Sequence, residues 1–243
     1  MYTINIRKNT QGPSIFYGFR ISHLNQVTQY MNITVCEIFK SIQGESSFAG
    51  IPFTIIRVTG CNLRCAYCDT SYAWEGGEQI SVGKVAQKAL DFNLKRVLIT
   101  GGEPLLQPAS LKLIRLLRKC NRKVLVETNG SMDISVLPRG VVAVMDIKCP
   151  GSGQTHKMNW NNLKNLRPYD QVKFVLMDRQ DYEWARQIYR KYLANTRNEV
   201  LMSLAFGSLE PRSLAEWMLS DSLEVRLQLQ LHKQIWPDQL RGV

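Results

Sequence analysis

The stretch that decides the fold is IPFTIIRVTGCNLRCAYCDT, residues 51–70. Residues 53–59 are rich in β-branched side chains and predict a buried strand. The loop that follows this strand carries Cys61, Cys65 and Cys68. Three thiolates this close together can hold one metal centre, but a tetrahedral zinc ion or a four-iron cluster takes four ligands. The loop therefore predicts a metal centre whose fourth position is open or filled from elsewhere.

Strand and helix patterns alternate along the rest of the chain. This alternation predicts a parallel sheet with helical crossovers. About six β/α units are fewer than the eight of a closed barrel, so we expect an α/β fold with a partial, open parallel β/α barrel. Residues 225–232 alternate between apolar and polar side chains and predict a last strand with one polar face. The other predicted strands are 97–99, 124–126, 141–145, 172–176 and 200–203, and the predicted helices are 82–90 (with Ser81 as N-cap), 110–120 and 182–192.

Polar motifs follow four successive predicted strands. They are the cysteine loop, GGEP at residues 101–104, ETNG at residues 127–130 and DIK at residues 146–148. In open parallel sheets, ligands bind at the carboxyl ends of the strands. The sequence therefore predicts one site at this edge.

Composition limits the class of protein. No run of about 18 apolar residues and no secretory apolar stretch is present, so we expect a cytoplasmic protein without a membrane partner. The six cysteines are too few and too unevenly spread for a disulfide scaffold. The net charge of +11 favours an anionic partner. We interpret the basic residues between 115 and 123 as a solvated helix face and expect no nucleic acid. Residues 1–31 lack a sustained period and predict an extension outside a single domain at 32–243, with Met31 an alternative start.

The CxxxCxxC loop, with Tyr67 directly before its last cysteine, resembles the signature of the radical S-adenosylmethionine superfamily. That resemblance implies that Cys61, Cys65 and Cys68 bind three irons of a [4Fe–4S] cluster and that S-adenosylmethionine chelates the fourth. GGEP resembles the superfamily segment that holds the methionine amino group. The cosubstrate contacts implied by the resemblance are Tyr67, Gly102, Glu103, Glu127, Asn129 and Lys148.

Simpler interpretations remain open for several of these residues. The thiolates also suit a structural zinc ion completed by His23, His156 or another cysteine. GGEP also suits a plain turn before a helix, and Asn129 suits a cap of the turn at Gly130. Lys148 also suits a surface lysine whose stem lies along apolar neighbours.

The segments around the cysteine loop narrow the resemblance. The motif SIQGE at residues 41–45, Gly50, Arg57, Asp69-Thr70 and the terminal QLQLHKQIWPDQLRGV together resemble the 7-carboxy-7-deazaguanine synthases of 7-deazapurine and queuosine biosynthesis. This implies a lyase that converts 6-carboxy-5,6,7,8-tetrahydropterin to 7-carboxy-7-deazaguanine with ring contraction and ammonia release. It also implies a magnesium ion at Thr70, a flavodoxin or ferredoxin-type reductant and a homodimer. The implied substrate contacts are Ile42, Gln43, Gly44, Arg57 and Thr100.

Strand alternation adds an independent argument for Arg57. Residues 53, 55, 57 and 59 share one face of the predicted strand. A buried arginine on that face needs an anionic partner. A substrate carboxylate is one candidate, and a salt bridge to Glu37 or Glu45 is the other.

The chain departs from the family pattern at two positions. Ser46 stands where the family usually has the second glycine of QGEG, and Cys149 follows Lys148 without an assignable role beyond filling space. His232 suits either a substrate contact or a structural histidine. Two other classes compete with the leading interpretation: a glycyl-radical activating enzyme and a zinc-stabilised nucleic-acid-binding module.

Overall fold

The computed structural model describes residues 31–243, and these contain one nine-stranded sheet. The strands are β1 (Asn32–Ile42), β2 (Pro52–Val58), β3 (Glu78–Ser81), β4 (Arg96–Gly101), β5 (Lys123–Thr128), β6 (Val142–Lys148), β7 (Gln171–Leu176), β8 (Glu199–Leu204) and β9 (Arg226–Gln228). Their order across the sheet is β3-β1-β2-β4-β5-β6-β7-β8-β9. Every neighbouring pair from β2 to β9 is parallel, while β1 is antiparallel to both β2 and β3. The sheet ends at β3 and β9, which confirms the predicted open, partial β/α barrel.

Amphipathic helices cover the outer face of this sheet. Helix α1 (Val82–Asp91) begins after Ser81, whose hydroxyl accepts the backbone N–H of Lys84 at 3.4 Å, as the capping prediction requires. The three predicted helices are confirmed. The π-helical turn Tyr189–Leu193 continues the helix that ends at Ile188. The helices of the described residues are α1 (Val82–Asp91), α2 (Pro108–Lys119), α3 (Asn162–Asn165), α4 (Arg179–Ile188), α5 (Pro211–Ser220) and α6 (Leu231–Ile235).

Two apolar layers lie on opposite faces of the sheet. The larger one packs β-strand side chains such as Ile56, Ile99 and Val126 against the helices. The smaller one fills the inner face of the barrel with Phe53, Ile55, Leu98, Leu125, Val144 and Leu201. Because side chains alternate along a strand, the next inward position lies two residues further on. On β2, β4, β5, β6 and β8 that position is polar, so polar side chains lie next to the apolar layer, nearer the carboxyl ends of the strands.

Two features differ from the sequence-based expectation. Strands β1 and β3 have no counterpart in it. The strand predicted at 225–232 is wrong after Gln228, where the chain turns into α6. The physical reason is that Leu231 donates its N–H to the carbonyl of Gly44 at 3.0 Å, which ties this segment to the SIQGE loop instead of the sheet. The extension predicted at residues 1–31 lies almost wholly outside the described residues. Within residues 31–243, no helix has the length and apolar character needed to cross a membrane.

Candidate active site

A cavity opens above the inner apolar layer, at the carboxyl ends of the parallel strands. The SIQGE loop, the cysteine loop, strands β4 to β8 and the C-terminal segment all contribute to its walls. All of the predicted site residues except Glu103 line it. The side chains that follow the apolar layer on β2, β4, β5 and β6 are Arg57, Thr100, Glu127 and Asp146, as the two-residue period requires.

The three cysteines of the CxxxCxxC loop line this cavity together. The Cys61 sulfur accepts the Leu63 N–H at 3.4 Å and lies 3.6 Å from Nδ2 of Asn129. Burial raises the pKa of Cys65 to about 11, although nearby Lys148 opposes this shift. In the described part of the chain, no three His, Cys, Asp or Glu side chains are grouped to hold a single metal ion. In an iron–sulfur cluster each thiolate binds its own iron, and three thiols on one cavity wall fit that donor set.

Gly101 and Gly102 are required by the packing of two strand ends. A Cβ atom on Gly101 would lie 2.1 Å from the carbonyl oxygen of Val58, and one on Gly102 would lie 2.0 Å from that of Gly60. Gly101 also has φ of +136°, which disfavours any side chain. The glycines therefore let β4 approach the strand that carries the cysteine loop. They place backbone, rather than side chains, on the cavity wall.

Glu103, which the resemblance implies as a cosubstrate contact, does not line the cavity. Its side chain is fully buried. The carboxylate accepts hydrogen bonds from the Leu105 N–H at 2.9 Å, the Asn129 N–H at 2.6 Å and the Thr128 hydroxyl at 3.0 Å. Burial raises the pKa of Glu103, and these donors oppose it. Glu103 therefore fixes the end of β5 against the GGEP turn.

Two of the cosubstrate contacts that the resemblance implies, Glu127 and Asn129, have different surroundings in the structure. Asn129 caps the turn after β5, because its Oδ1 accepts the Ser131 N–H at 3.0 Å, while its Nδ2 faces the cysteine loop. Glu127 lies instead among the predicted substrate contacts. Its carboxylate accepts hydrogen bonds from Nε2 of Gln43 at 3.3 Å and from the hydroxyl of Thr100 at 3.0 Å. Burial raises the pKa of Glu127, with Lys173 acting against that shift.

Lys148 is buried and faces the cavity, so the surface interpretation is wrong. Its Nζ lies 2.7 Å from Oδ2 of Asp146 and 5.7 Å from the centroid of the Tyr67 ring. Burial would lower the pKa of Lys148, but Asp146 outweighs it and raises that pKa. Two buried polar atoms in this region, the Tyr67 hydroxyl and Oδ1 of Asp146, have no partner among residues 31–243. Such groups mark a place where a polar ligand is expected.

Arg57 has the salt bridge that the sequence left open. Its Nε lies 2.7 Å from Oε1 of Glu37, and the hydroxyl of Tyr72 also donates to Glu37 at 3.1 Å. The guanidinium still lines the cavity. A guanidinium has five N–H donors, so a partner on Nε leaves the other donors of Arg57 available for a second anion.

A buried ion pair that the sequence reading missed joins three parts of the wall. Lys173 on β7 places Nζ 2.5 Å from Oε2 of Glu45 in the SIQGE loop. The other oxygen of Glu45 accepts a hydrogen bond from Nε2 of Gln230 at 2.8 Å. Burial alone would raise the pKa of Glu45, but the charge and hydrogen bond of Lys173 hold it at about 2. The signal was present, since a lysine inside the apolar strand QVKFVL needs a buried anion by the argument used for Arg57.

The C-terminal segment packs directly on the SIQGE loop. A Cβ atom on Gly44 would lie 1.9 Å from Nδ1 of His232, so glycine is needed for this contact. His232 both packs on the loop and lines the cavity. Burial lowers its pKa, although Glu45 and Asp69 oppose the shift.

The two departures from the family pattern have local explanations. Ser46 has φ of +65°, a left-handed conformation that favours glycine. Its buried hydroxyl accepts the Phe48 N–H at 3.2 Å, which partly offsets the conformational cost. Cys149 is fully buried, as expected of a filler, and burial raises its pKa well above the usual value. His156 is exposed and does not line the cavity.

Similarity to known proteins first defines the class. Residues 55–144 match the model of the Radical SAM superfamily. The fold is similar to that of QueE from Escherichia coli, with a TM-score of 0.70 and 21% identity over 86% of this chain and 100% of that one. The three-cysteine loop at the rim of an open parallel barrel is that of a radical S-adenosylmethionine enzyme, and the class implies a [4Fe–4S] cluster and S-adenosylmethionine.

Two relatives define the family within this class. The 7-carboxy-7-deazaguanine synthase of Koribacter versatilis is 42% identical over 226 residues, covering 86% of this chain and 99% of that protein. The protein of the same name from Chlorobaculum tepidum is 41% identical, covering 87% of this chain and 97% of its own length. The chain belongs to the 7-carboxy-7-deazaguanine synthase family. The family resemblance is thereby confirmed, and the activating-enzyme and zinc-module interpretations are set aside.

Proposed function

We propose that this enzyme converts 6-carboxy-5,6,7,8-tetrahydropterin to 7-carboxy-7-deazaguanine and releases ammonia. Substrate and product differ by one NH₃, so the ring contraction is redox-neutral overall. One observation carries the proposal: the cysteine loop and the group formed by Gln43, Arg57 and Thr100 line the same cavity. Chemistry that starts at the cysteine loop therefore has direct access to the side chains assigned to the pterin.

The residues at the cysteine side of the cavity fit a cluster with its cosubstrate. Cys61, Cys65 and Cys68 would hold the cluster. Lys148 and the backbone of Gly102 would hold S-adenosylmethionine. When bound, cluster and cosubstrate supply a carbon radical that takes hydrogen from the substrate. The ion pair of Lys148 with Asp146 keeps the lysine charged and oriented toward this side.

Glu127 is assigned to the pterin ring. A carboxylate has about four lone-pair sites, and the donors of Gln43 and Thr100 occupy one site on each oxygen. The remaining sites suit the neighbouring N–H groups of the pyrimidinone ring. Gln43 and Thr100 orient the carboxylate for this role, since both donate to it.

Arg57 is assigned to the substrate carboxylate. Glu37 fixes the side chain through Nε, and the guanidinium offers further donors in a planar fork that matches a carboxylate. Ile42 and Gly44 line the same part of the cavity and complete the assigned substrate site.

The magnesium site at Thr70 stays a proposal. Thr70 and Asp69 both line the cavity, and hydroxyl and carboxylate oxygens are ligands that Mg²⁺ accepts, with water and substrate completing the shell. Asp69 is held near Gln230 at 3.1 Å and near Lys233 at 3.4 Å. The homodimer, the cytoplasmic location and the separate role of residues 1–31 also remain predictions.

The test is anaerobic turnover by the iron-loaded enzyme with S-adenosylmethionine, dithionite, Mg²⁺ and the carboxytetrahydropterin. We expect 7-carboxy-7-deazaguanine and ammonia in equal amounts, by mass spectrometry and an ammonia assay. Glu127→Gln should weaken pterin binding while it still cleaves S-adenosylmethionine. A matched control is Glu199→Gln, which changes a carboxylate on β8 that is paired with Arg226 far from the cavity lining. Cleavage of S-adenosylmethionine without any deazaguanine would show that the substrate assignment is wrong.

A further inference from the structure

Glu37 on β1 faces the inner side of the barrel because of an irregularity in that strand. The register pairs Val35 with Val58 and then Glu37 with Arg57, so Cys36 is an extra residue between the two pairs. A one-residue shift exchanges the two faces of the strand that follows it. Without the shift, Cys36 would lie opposite Arg57. The irregularity therefore places a carboxylate next to the arginine assigned to the substrate.

The carboxylate of Glu37 accepts hydrogen bonds from three separate parts of the chain. Its Oε1 accepts one from Nε of Arg57 at 2.7 Å and one from the hydroxyl of Tyr72 at 3.1 Å. Its Oε2 accepts one from the N–H of Gly242 at 3.2 Å. The side chains of Glu37 and Arg57 are only 17% and 12% exposed. Burial raises the pKa of Tyr72 to about 12, so the hydroxyl keeps the proton that it donates.

The last residues of the chain, 240–243, depend on this carboxylate, and we refer to them as the end segment. Within residues 31–243, the hydrogen bond from Gly242 to Glu37 is the only one that the end segment makes. The guanidinium of Arg241 lies 4.4 Å from the centroid of the Tyr72 ring, and Tyr72 itself donates to Glu37. Both contacts of the end segment therefore lead to the same carboxylate.

The contact with Glu37 also decides which donors of Arg57 remain for a ligand. A guanidinium can bind a carboxylate through Nε and one Nη group or through both Nη groups. Since Glu37 occupies Nε, only the pair of Nη groups is left for the substrate. Val243 lines the cavity together with Arg57. One carboxylate thus fixes both the arginine and a part of the wall formed by the end segment.

We propose that Glu37 is a positioning residue for the pterin site. It holds Arg57 so that the two Nη groups meet the substrate carboxylate, and it keeps the end segment in the cavity wall. Glu37 does not itself line the cavity, so it acts through these two neighbours. The proposal rests on the proposed function, because that function assigns Arg57 to the substrate carboxylate.

The first test compares the binding of two ligands to the iron-loaded enzyme by anaerobic titration calorimetry. They are 6-carboxytetrahydropterin and tetrahydropterin, which lacks the carboxylate. We expect Glu37→Ala to raise the Kd of the first by about tenfold or more, because a charge-assisted hydrogen bond is lost, and that of the second by less than about twofold. The matched control Glu199→Ala removes another strand glutamate, whose Oε1 lies 2.6 Å from Nε of Arg226 away from the cavity lining. It should change neither Kd.

The second test isolates the end segment. In Glu37→Gln the amide oxygen can still accept from Arg57 and Tyr72, but the amide nitrogen cannot accept from Gly242. Gly242→Pro breaks the same hydrogen bond from the other side, because proline has no N–H and cannot adopt the φ of +73° found here. Each variant should raise the Kd of 6-carboxytetrahydropterin by about threefold. The double variant should bind no more weakly than the weaker single variant, since both changes act through one hydrogen bond.

The results separate a positioning role from general damage. Equal weakening of both ligands by Glu37→Ala would overturn the proposal, and so would unchanged binding of 6-carboxytetrahydropterin. Additive effects of Glu37→Gln and Gly242→Pro would also overturn it, and these two milder changes decide the matter if Glu37→Ala does not fold. Absence of 7-carboxy-7-deazaguanine from turnover by the unaltered enzyme would instead refute the proposed function itself, and that outcome depends on no Glu37 variant.

Discussion

Breaking the buried pair between Glu45 and Lys173 should be far more damaging than removing it entirely. The side chains of Lys173 and Glu45 are only 10% and 13% exposed. Lys173→Met would leave the Glu45 carboxylate buried with a single neutral donor, Gln230. Loss of one partner of a buried pair costs about 3–5 kcal/mol. At about 2–4 °C per kcal/mol for a protein of this size, the melting temperature should fall by on the order of 10 °C.

The double variant Glu45→Gln with Lys173→Met supplies the control. It removes both charges, and the amide oxygen of the new glutamine can still accept the hydrogen bond from Gln230. Replacing both partners of a buried pair is often close to neutral. We therefore expect the double variant to melt well above the Lys173→Met single variant, as measured by far-UV circular dichroism at one fixed scan rate.

The stability of the unaltered protein and that of Lys173→Met should depend on pH in opposite directions. In the unaltered protein the pKa of Glu45 is about 2, below the value of roughly 4.3 in an unfolded chain. Its contribution to stability is therefore complete above about pH 4.3 and is lost as the pH falls toward 2. In Lys173→Met, burial without a cation should raise this pKa, so that variant should lose stability as the pH rises from about 4.3. A pH-independent gap between the two proteins, or a double variant no more stable than the single one, would refute this reasoning.

Three further predictions concern the frame of the site. Gly102→Ala should abolish cofactor loading and lower stability, because its Cβ would lie 2.0 Å from a backbone carbonyl oxygen. The control is Gly83→Ala in α1, where a Cβ would meet open space. In urea unfolding this control should be neutral or stabilising by up to about 1 kcal/mol. Glu103→Gln should cost about 1–3 kcal/mol in the same assay and raise the dissociation constant for S-adenosylmethionine, since an amide cannot accept from all of the donors at this buried site. Cys65→Ala should lose bound iron and sulfide, while Cys149→Ala should retain both, and equal iron loss in the two variants would contradict the cluster assignment.

The sequence predicted the inward-facing side chains at the strand ends well, because every second residue of a strand faces the same side. The alternation that placed Arg57 on the inner face holds on neighbouring strands, where Thr100 and Glu127 occupy the corresponding inward positions. The sequence could not predict which side chains pair with each other across the cavity. The contact between Lys173 and Glu45 joins residues 128 positions apart, and no local pattern encodes which of several acids a buried lysine will meet.

The same limit explains the error at the C-terminus. Residues 225–232 alternate as a strand would, yet the carbonyl of Gly44 takes the N–H of Leu231 and the segment becomes helical after Gln228. A long-range hydrogen bond outweighed local periodicity here. Glu103 shows a comparable limit: GGEP indicates a turn after β4, but only the fold shows that the Glu103 carboxylate is buried among Leu105, Thr128 and Asn129 and does not line the cavity.

The charged side chains that line the cavity have an excess of carboxylates, although the chain as a whole is positively charged. The chain carries +11, yet the side chains that line the cavity include four carboxylates, Glu45, Asp69, Glu127 and Asp146, against three cations, Arg57, Lys148 and Lys173. Each of these cations already has a carboxylate partner, whereas the hydrogen bonds to Glu127 come from neutral donors. A cavity of this kind favours a cationic sulfonium and a ring that donates N–H groups. Among residues 31–243 the excess positive charge lies outside the cavity lining, where an anionic partner can meet it without competing for the site.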